Sequence, residues 1–196
     1  MKKSRVILLA VIPVLFILLY CGSAETDKNP PYYDKVLELM LRTREDVFPE
    51  MGLDDNDVVF RDNGACELLE EINYLGLDLQ PILLFDPLSD KLCGVAYRQI
   101  FFQTSKTEIE ETNDLIQQLF CIYGEPNSYE DIETKNLKRL GQIDLRKLGS
   151  EKKDVSMADY WLLEDNMLLK VSIKMNRESG TISVMMHYIH NTLELS

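Results

Sequence analysis

Between residues 32 and 48 the apolar side chains Tyr33, Val36, Leu37, Met40, Leu41 and Val47 recur three and four apart, the stripe of an amphipathic helix. Asn29-Pro30-Pro31 opens it with a capping residue and prolines suited to a first turn, and Pro49 stops it. Residues 53–60 add one or two further helical turns before Asn63-Gly64. The period then changes to two. Leu68, Ile72 and Tyr74 alternate with polar positions, as do Leu77, Leu79, Leu83 and Phe85, and residues 92–102 form a long β-rich run. Gly76 and the Asp86-Pro87-Leu88-Ser89-Asp90 loop separate these runs, so the pattern predicts a three-stranded antiparallel meander. A second helix is marked at both ends, by the capping box Ser105-x-x-Glu108 and by Gly124 and Pro126. Its inward side carries Ile109, Thr112, Leu115, Ile116, Leu119, Ile122 and Tyr123. Residues 127–157 are irregular, and a last meander follows over 159–163, 167–175 and 181–189. The order reads as α+β: one antiparallel sheet of about six strands with helices packed on one face.

The N-terminus follows a different rule. Lys2, Lys3 and Arg5 precede an uncharged run over residues 6–20, too short for an ordinary bilayer span and interrupted by Pro13. Residues 1–24 therefore read as an export signal, 25–31 as a tether and 32–196 as a single domain, with 127–157 as an insertion. Gly22-Ser23-Ala24 suits cleavage before Glu25. Residues 18–23, centred on Cys21, instead resemble a bacterial lipoprotein signal, with Tyr20 where that pattern has a small residue. That resemblance implies lipidation of Cys21. Retention as an uncleaved anchor is the third route, and all three place the domain outside the cytoplasm, in the envelope or secreted. Contact with membrane is then confined to the signal or to lipid on Cys21.

Composition narrows the partners. A chain of 196 residues with 45% hydrophobic residues supports one core. Its formal charge is -12, and loss of Lys2, Lys3 and Arg5 with the signal takes it to -15. Nucleic acid is excluded as a partner, because phosphate binding relies on clustered cations. The 127–157 segment is a near-neutral island, read as a solvated surface insertion. Cys66, Cys93 and Cys121 lack metal-ligand spacing and read as small buried residues, with one disulfide among them as the alternative.

Candidate chemistry is sparse. His187 and His190, three apart on a strand, point to opposite faces and do not make a metal site. Asp54, Asp55, Asn56 and Asp57 lack the register of a calcium loop, which leaves Asp54 or Asp55 as a helix cap. Glu70-Glu71 and Glu110-Glu111 carry no diagnostic weight in a chain with 33 acids. Tyr97, Phe101, Phe102, Tyr160, Trp161 and Tyr188 fit core packing, with a ligand groove as the alternative. Nucleophile-elbow, zinc-protease and phosphate-loop motifs are absent, so no catalytic, cofactor-binding or metal residue is assigned.

The residues 85–92 (FDPLSDKL), the helix closing Tyr123-Gly124-Glu125-Pro126, and the last meander with Trp161 resemble a diffuse group of small exported bacterial proteins. That resemblance implies a fold and no activity. The reading that results is an exported, non-enzymatic module binding a protein or peptide, through the 127–157 segment or a sheet face or edge. A small-ligand carrier with a pocket between sheet and helix, and a carboxylate hydrolase, are the alternatives. Oligomeric state is left open. Intact-mass analysis of protein from its native host should show a diacylglyceryl adduct on Cys21 or a start at Glu25. An unmodified chain from Met1 to Ser196 would overturn both processing routes.

Overall fold

The computed structural model describes residues 28–102, 106–127, 139–140, 154–176 and 178–190. The export signal over 1–24, Cys21 and the Ser105 cap lie outside them. The sheet has eight strands, all paired antiparallel: β1 (Val58–Phe60), β2 (Ala65–Leu68), β3 (Ile72–Tyr74), β4 (Leu77–Phe85), β5 (Leu92–Phe101), β6 (Val155–Leu162), β7 (Met167–Asn176) and β8 (Thr181–His190). Their order is β1-β2-β4-β5-β8-β7-β6, with β3 also on β4. Two meanders thus meet where β5 pairs with β8, from Gly94↔Ile189 to Phe101↔Ile182. At this seam the strands run so close that a Cβ on Gly94 would lie 2.2 Å from the Tyr188 carbonyl oxygen and 3.0 Å from Ile189 Cα.

The period of two divides the sheet into two faces. Leu83, Val95, Tyr188, Leu169 and Trp161 stand in one row across β4, β5, β8, β7 and β6. They share a buried core with Val36 of α1 (Tyr33–Glu38), Val47 and Phe48 of α2 (Arg44–Met51), and Leu115, Ile116 and Leu119 of α3 (Lys106–Tyr123). Phe120 of α3 meets Trp161 edge-on at 5.7 Å. The Trp161 indole N–H donates to the Gly124 carbonyl at 2.9 Å, joining the end of α3 to β6. Gly124 has φ +74, the left-handed conformation that closes the helix at little steric cost.

The sheet and α3 follow the periodicity, and four local expectations are corrected. The single helix over 32–48 is two short helices, because Leu41 turns with φ 66 and Thr43 bridges to Lys91. Pro49 does not stop the second; α2 runs on to Met51 and ends at Gly52 with φ 69. Residues 58–60 extend as β1 instead of adding helical turns, since they pair with β2. The one strand expected through Leu68 and Tyr74 is two, β2 and β3, laid along the same edge of β4; this split and the extra strand β1 together raise the expected six strands to eight.

The C-terminal meander is longer than expected, since β6 starts at Val155 inside the segment read as irregular. That segment is not wholly solvated. Leu140 is 2% exposed, and its N–H donates to Asp159 Oδ2 at 3.0 Å while Arg139 Nε donates to Oδ1 at 2.7 Å.

Leu119→Ala should cost about 2–5 kcal/mol in denaturant titration, against no measurable loss for Leu88→Ala, which is 93% exposed. Gly94→Ala should destabilise by about 1–3 kcal/mol or more, because the two nearest of the three atoms it meets are main chain and the seam must shift.

Candidate functional site

The other face of the sheet is built by the same alternation. Glu67, Ile82, Ala96, His187, Lys170 and Tyr160 stand in one row across β2, β4, β5, β8, β7 and β6. Gln80, Arg98, Met185 and Ser172 form the next row. A cleft of about 540 Å3 opens here. Ile82, Leu84, Ala96 and Met185 make its apolar floor, and Arg61, Arg98 and His187 supply polar walls.

Glu67 sits buried beside the cleft, accepting a hydrogen bond from Arg61 Nη2 at 2.8 Å and an ion pair from Arg98 Nη1 at 3.0 Å. Arg98 Nη2 also donates to Gln80 Oε1. The Arg61 hydrogen bond, aided by Arg98 and opposed by burial, holds the Glu67 carboxyl below its usual pKa. His187 is perturbed by a different cause. Burial first, then the charges of Lys170 and Lys174, push its pKa down to about 4, so the imidazole is neutral at pH 7. Its Nδ1 is buried with no hydrogen-bond partner among the described residues. The Lys170 ammonium lies 5.6 Å from the Tyr160 ring centroid. Arg61, Arg98, Lys170 and Lys174 set four cations on or beside this face, where Glu67, Asp62 and Asp78 are among its acids, in a chain whose formal charge is -12. The arrangement can hold an anionic group above an apolar floor.

Other sequence candidates scatter. Tyr97, Phe101, Trp161 and Tyr188 are core residues, Tyr160 lies on the sheet face, and Phe102 is 73% exposed, so the six aromatics do not make one groove. His187 and His190 do fall on opposite faces, in register with Lys170 and Met167. Asp54 caps no helix. Its Oδ1 accepts the Asn56 N–H at 2.6 Å in a turn leading into β1. Cys66 and Cys93 are buried and free, while Cys121 is exposed and disulfide-bonded to a partner outside the described residues. Among the described residues, no group of three or more His, Cys, Asp and Glu gathers to hold a metal, and no helix is long and apolar enough to cross a membrane.

Sequence reasoning missed Glu67, Arg61 and Arg98. The alternation along β5 already set Arg98 opposite the core positions, but its partners come from strands whose pairing no local pattern specifies.

Both perturbed groups make acid unfavourable, in separate windows. The folded state binds the His187 proton less readily than the unfolded chain, so stability falls as pH drops from 6.5 towards 4. Glu67 contributes above its usual 4.5, and that contribution is lost as pH falls through its lowered folded value. In urea titrations at stepped pH, His187→Gln should abolish the upper leg, on the order of 1–3 kcal/mol, and leave the lower one. An unchanged upper leg would assign it to another group. Searches with the chain against family models, curated proteins and solved structures found no match, so the chemistry of this face rests on its own residues.

Proposed function

We propose that this protein is an exported, non-enzymatic module of the cell envelope or of secreted character, and that it binds a protein or peptide through the sheet face turned away from its helices. The observation that carries the reading is the cleft over Ile82, Leu84, Ala96 and Met185, bordered by Arg61 and Arg98 in a strongly acidic chain. Ile100 and Leu162 extend apolar surface on the same face, with Leu162 56% exposed. An apolar floor supplies the affinity of a peptide site, and the cations select an acidic partner and speed its encounter. The N-terminal signal pattern and the likeness to small exported proteins support the address.

Two observations favour surface binding over the rival chemistries. The layer between sheet and α3 is filled by Leu79, Val95, Leu115, Leu119 and Val171, all fully buried, which leaves no carrier cavity among them. The buried acids Glu67 and Asp159 lie on opposite faces of the sheet, each paired with arginine, so they do not converge as a hydrolase pair.

Panning a displayed random-peptide library on the immobilised full chain should enrich sequences that mix acidic and apolar residues. Lys170→Glu with Lys174→Glu, which spares the buried Glu67 pair, should weaken the enriched peptides about tenfold. Enrichment that ignores charge, or affinities equal in the two proteins, would sink the sheet-face reading.

A further inference from the structure

Four tyrosine hydroxyls converge on the core side of the sheet, beneath the residues that lead into the domain. Tyr74 comes from the end of β3, Tyr97 from β5, Tyr188 from β8 and Tyr123 from the last position of α3. Tyr74 Oη and Tyr123 Oη each donate to the main-chain carbonyl of Lys28 at 3.0 Å. Tyr97 Oη donates to the carbonyl of Pro31. Tyr123 Oη lies 3.3 Å from Tyr188 Oη, and its single proton is spent on Lys28, so Tyr188 is the donor of that pair. Burial raises the pKa of all four phenols, which keeps them donors at any ordinary pH.

These contacts read main chain, not side chains. What they hold is Asn29-Pro30-Pro31, with Pro30 buried. A residue before proline is driven to extended backbone, and proline has no N–H of its own, so such a segment offers carbonyls as its recognisable groups. Phenol donors suit carbonyls offered in this way, and here the chain bends at Lys28-Asn29 and turns at Pro31-Tyr32, where the Tyr33 N–H donates to the Pro30 carbonyl at 3.1 Å. Two further features mark residues 28–31 as a separable strap. Tyr32, the joint between strap and α1, has φ 71, a strained conformation for a bulky residue. A cleft of about 1030 Å3 runs beside the strap, walled on its far side by Asn73, Tyr74, Gly76 and Gln118.

We propose that Tyr74, Tyr97 and Tyr123 form a receptor for the carbonyls of a proline-containing peptide segment, occupied in cis by residues 28–31 and open to a partner's segment when that strap leaves. The hydroxyls exchange one pair of carbonyls for another, and release of the strap relieves the strain at Tyr32. This site is independent of the sheet-face cleft and uses none of its residues.

The Lys28 carbonyl clasped by two tyrosines is also the scissile carbonyl of the Lys28–Asn29 bond, so trypsin reports on the strap directly. In the full chain, cleavage at this bond followed by mass spectrometry should be slow, and Tyr74→Phe with Tyr123→Phe should speed it about tenfold through loss of two hydrogen bonds. The lysine-free peptide acetyl-Thr-Asp-Gln-Asn-Pro-Pro-amide, added at millimolar concentration, should speed cleavage of the wild-type strap, and its alanine-for-proline counterpart should not. The proposal is overturned if the proline peptide leaves the wild-type rate unchanged, or if the double variant keeps its circular dichroism and is cleaved at the wild-type rate. Should the double variant unfold, the peptide arm on the wild-type chain decides alone. Lys170→Glu with Lys174→Glu should respond to the peptide as wild type, which separates failure here from failure at the sheet face.

Discussion

Strand β5 pairs with β8 from Gly94↔Ile189 to Phe101↔Ile182, and this one ladder turns two separate meanders into a single sheet. Its partners lie roughly 80–95 residues apart along the chain, so it closes the longest loop of any strand pairing in the sheet at an entropic cost no local turn offsets. The return comes from rows that run unbroken across the seam. Leu83, Val95, Tyr188, Leu169 and Trp161 bury one continuous strip, against which α3 sets Phe120 and Leu119. Gly94 permits the close approach, since a side chain there would press on the main chain of β8. Both candidate sites inherit their geometry from this seam: Ala96 and His187 meet across it on one face, Tyr97 and Met186 on the other.

Charge follows the same division. In a chain this acidic, self-repulsion would oppose compaction if acids were buried unpaired. Among the described residues the two buried acids each have an arginine, Arg61 and Arg98 for Glu67 and Arg139 for Asp159. The Asp159 pair also does structural work at a distance in sequence, tying Leu140 to β6 where composition suggests a solvated surface insertion. Arg61 and Arg98 offset Glu67 and Asp62 around the cleft, and the sheet face becomes a local exception to the charge of the whole. A neutral His187 belongs to the same economy of charge, because a proton there would face Lys170 and Lys174 in a buried setting.

Much of the architecture was legible locally. The stripe through Leu115, Ile116 and Leu119 and the stop at Gly124 describe α3, and alternation in residues 167–175 and 181–189 describes β7 and β8. Local signals failed where pairing with another strand settles the conformation. Val58, Val59 and Phe60 are β-branched and aromatic residues that favour strands, but a run of three after the Asp54–Asp57 turn signals a strand only once β2 pairs with it. The expected helix over 32–48 breaks at Leu41, whose N–H donates to the Leu92 carbonyl of β5. Leu92 lies outside any local window on Leu41, whereas β2 follows β1 by six to ten residues across the Asn63-Gly64 turn, a hairpin overlooked in favour of helical turns.

The sequence by itself determined the type of the long elements, the α+β class, the acidic balance and the alternation of inward and outward positions along each long strand, because these depend on composition and on neighbours two to four residues away. Only the tertiary structure decided which polar sides lie together. Arg61, Glu67 and Arg98 come from three stretches of chain, and Tyr74, Tyr97, Tyr123 and Tyr188 from four elements; nothing in their spacing joins them. Register does, since with a side-chain period of two a slip of one residue in β5 on β8 would exchange the faces and bury Arg98 where Tyr97 now packs.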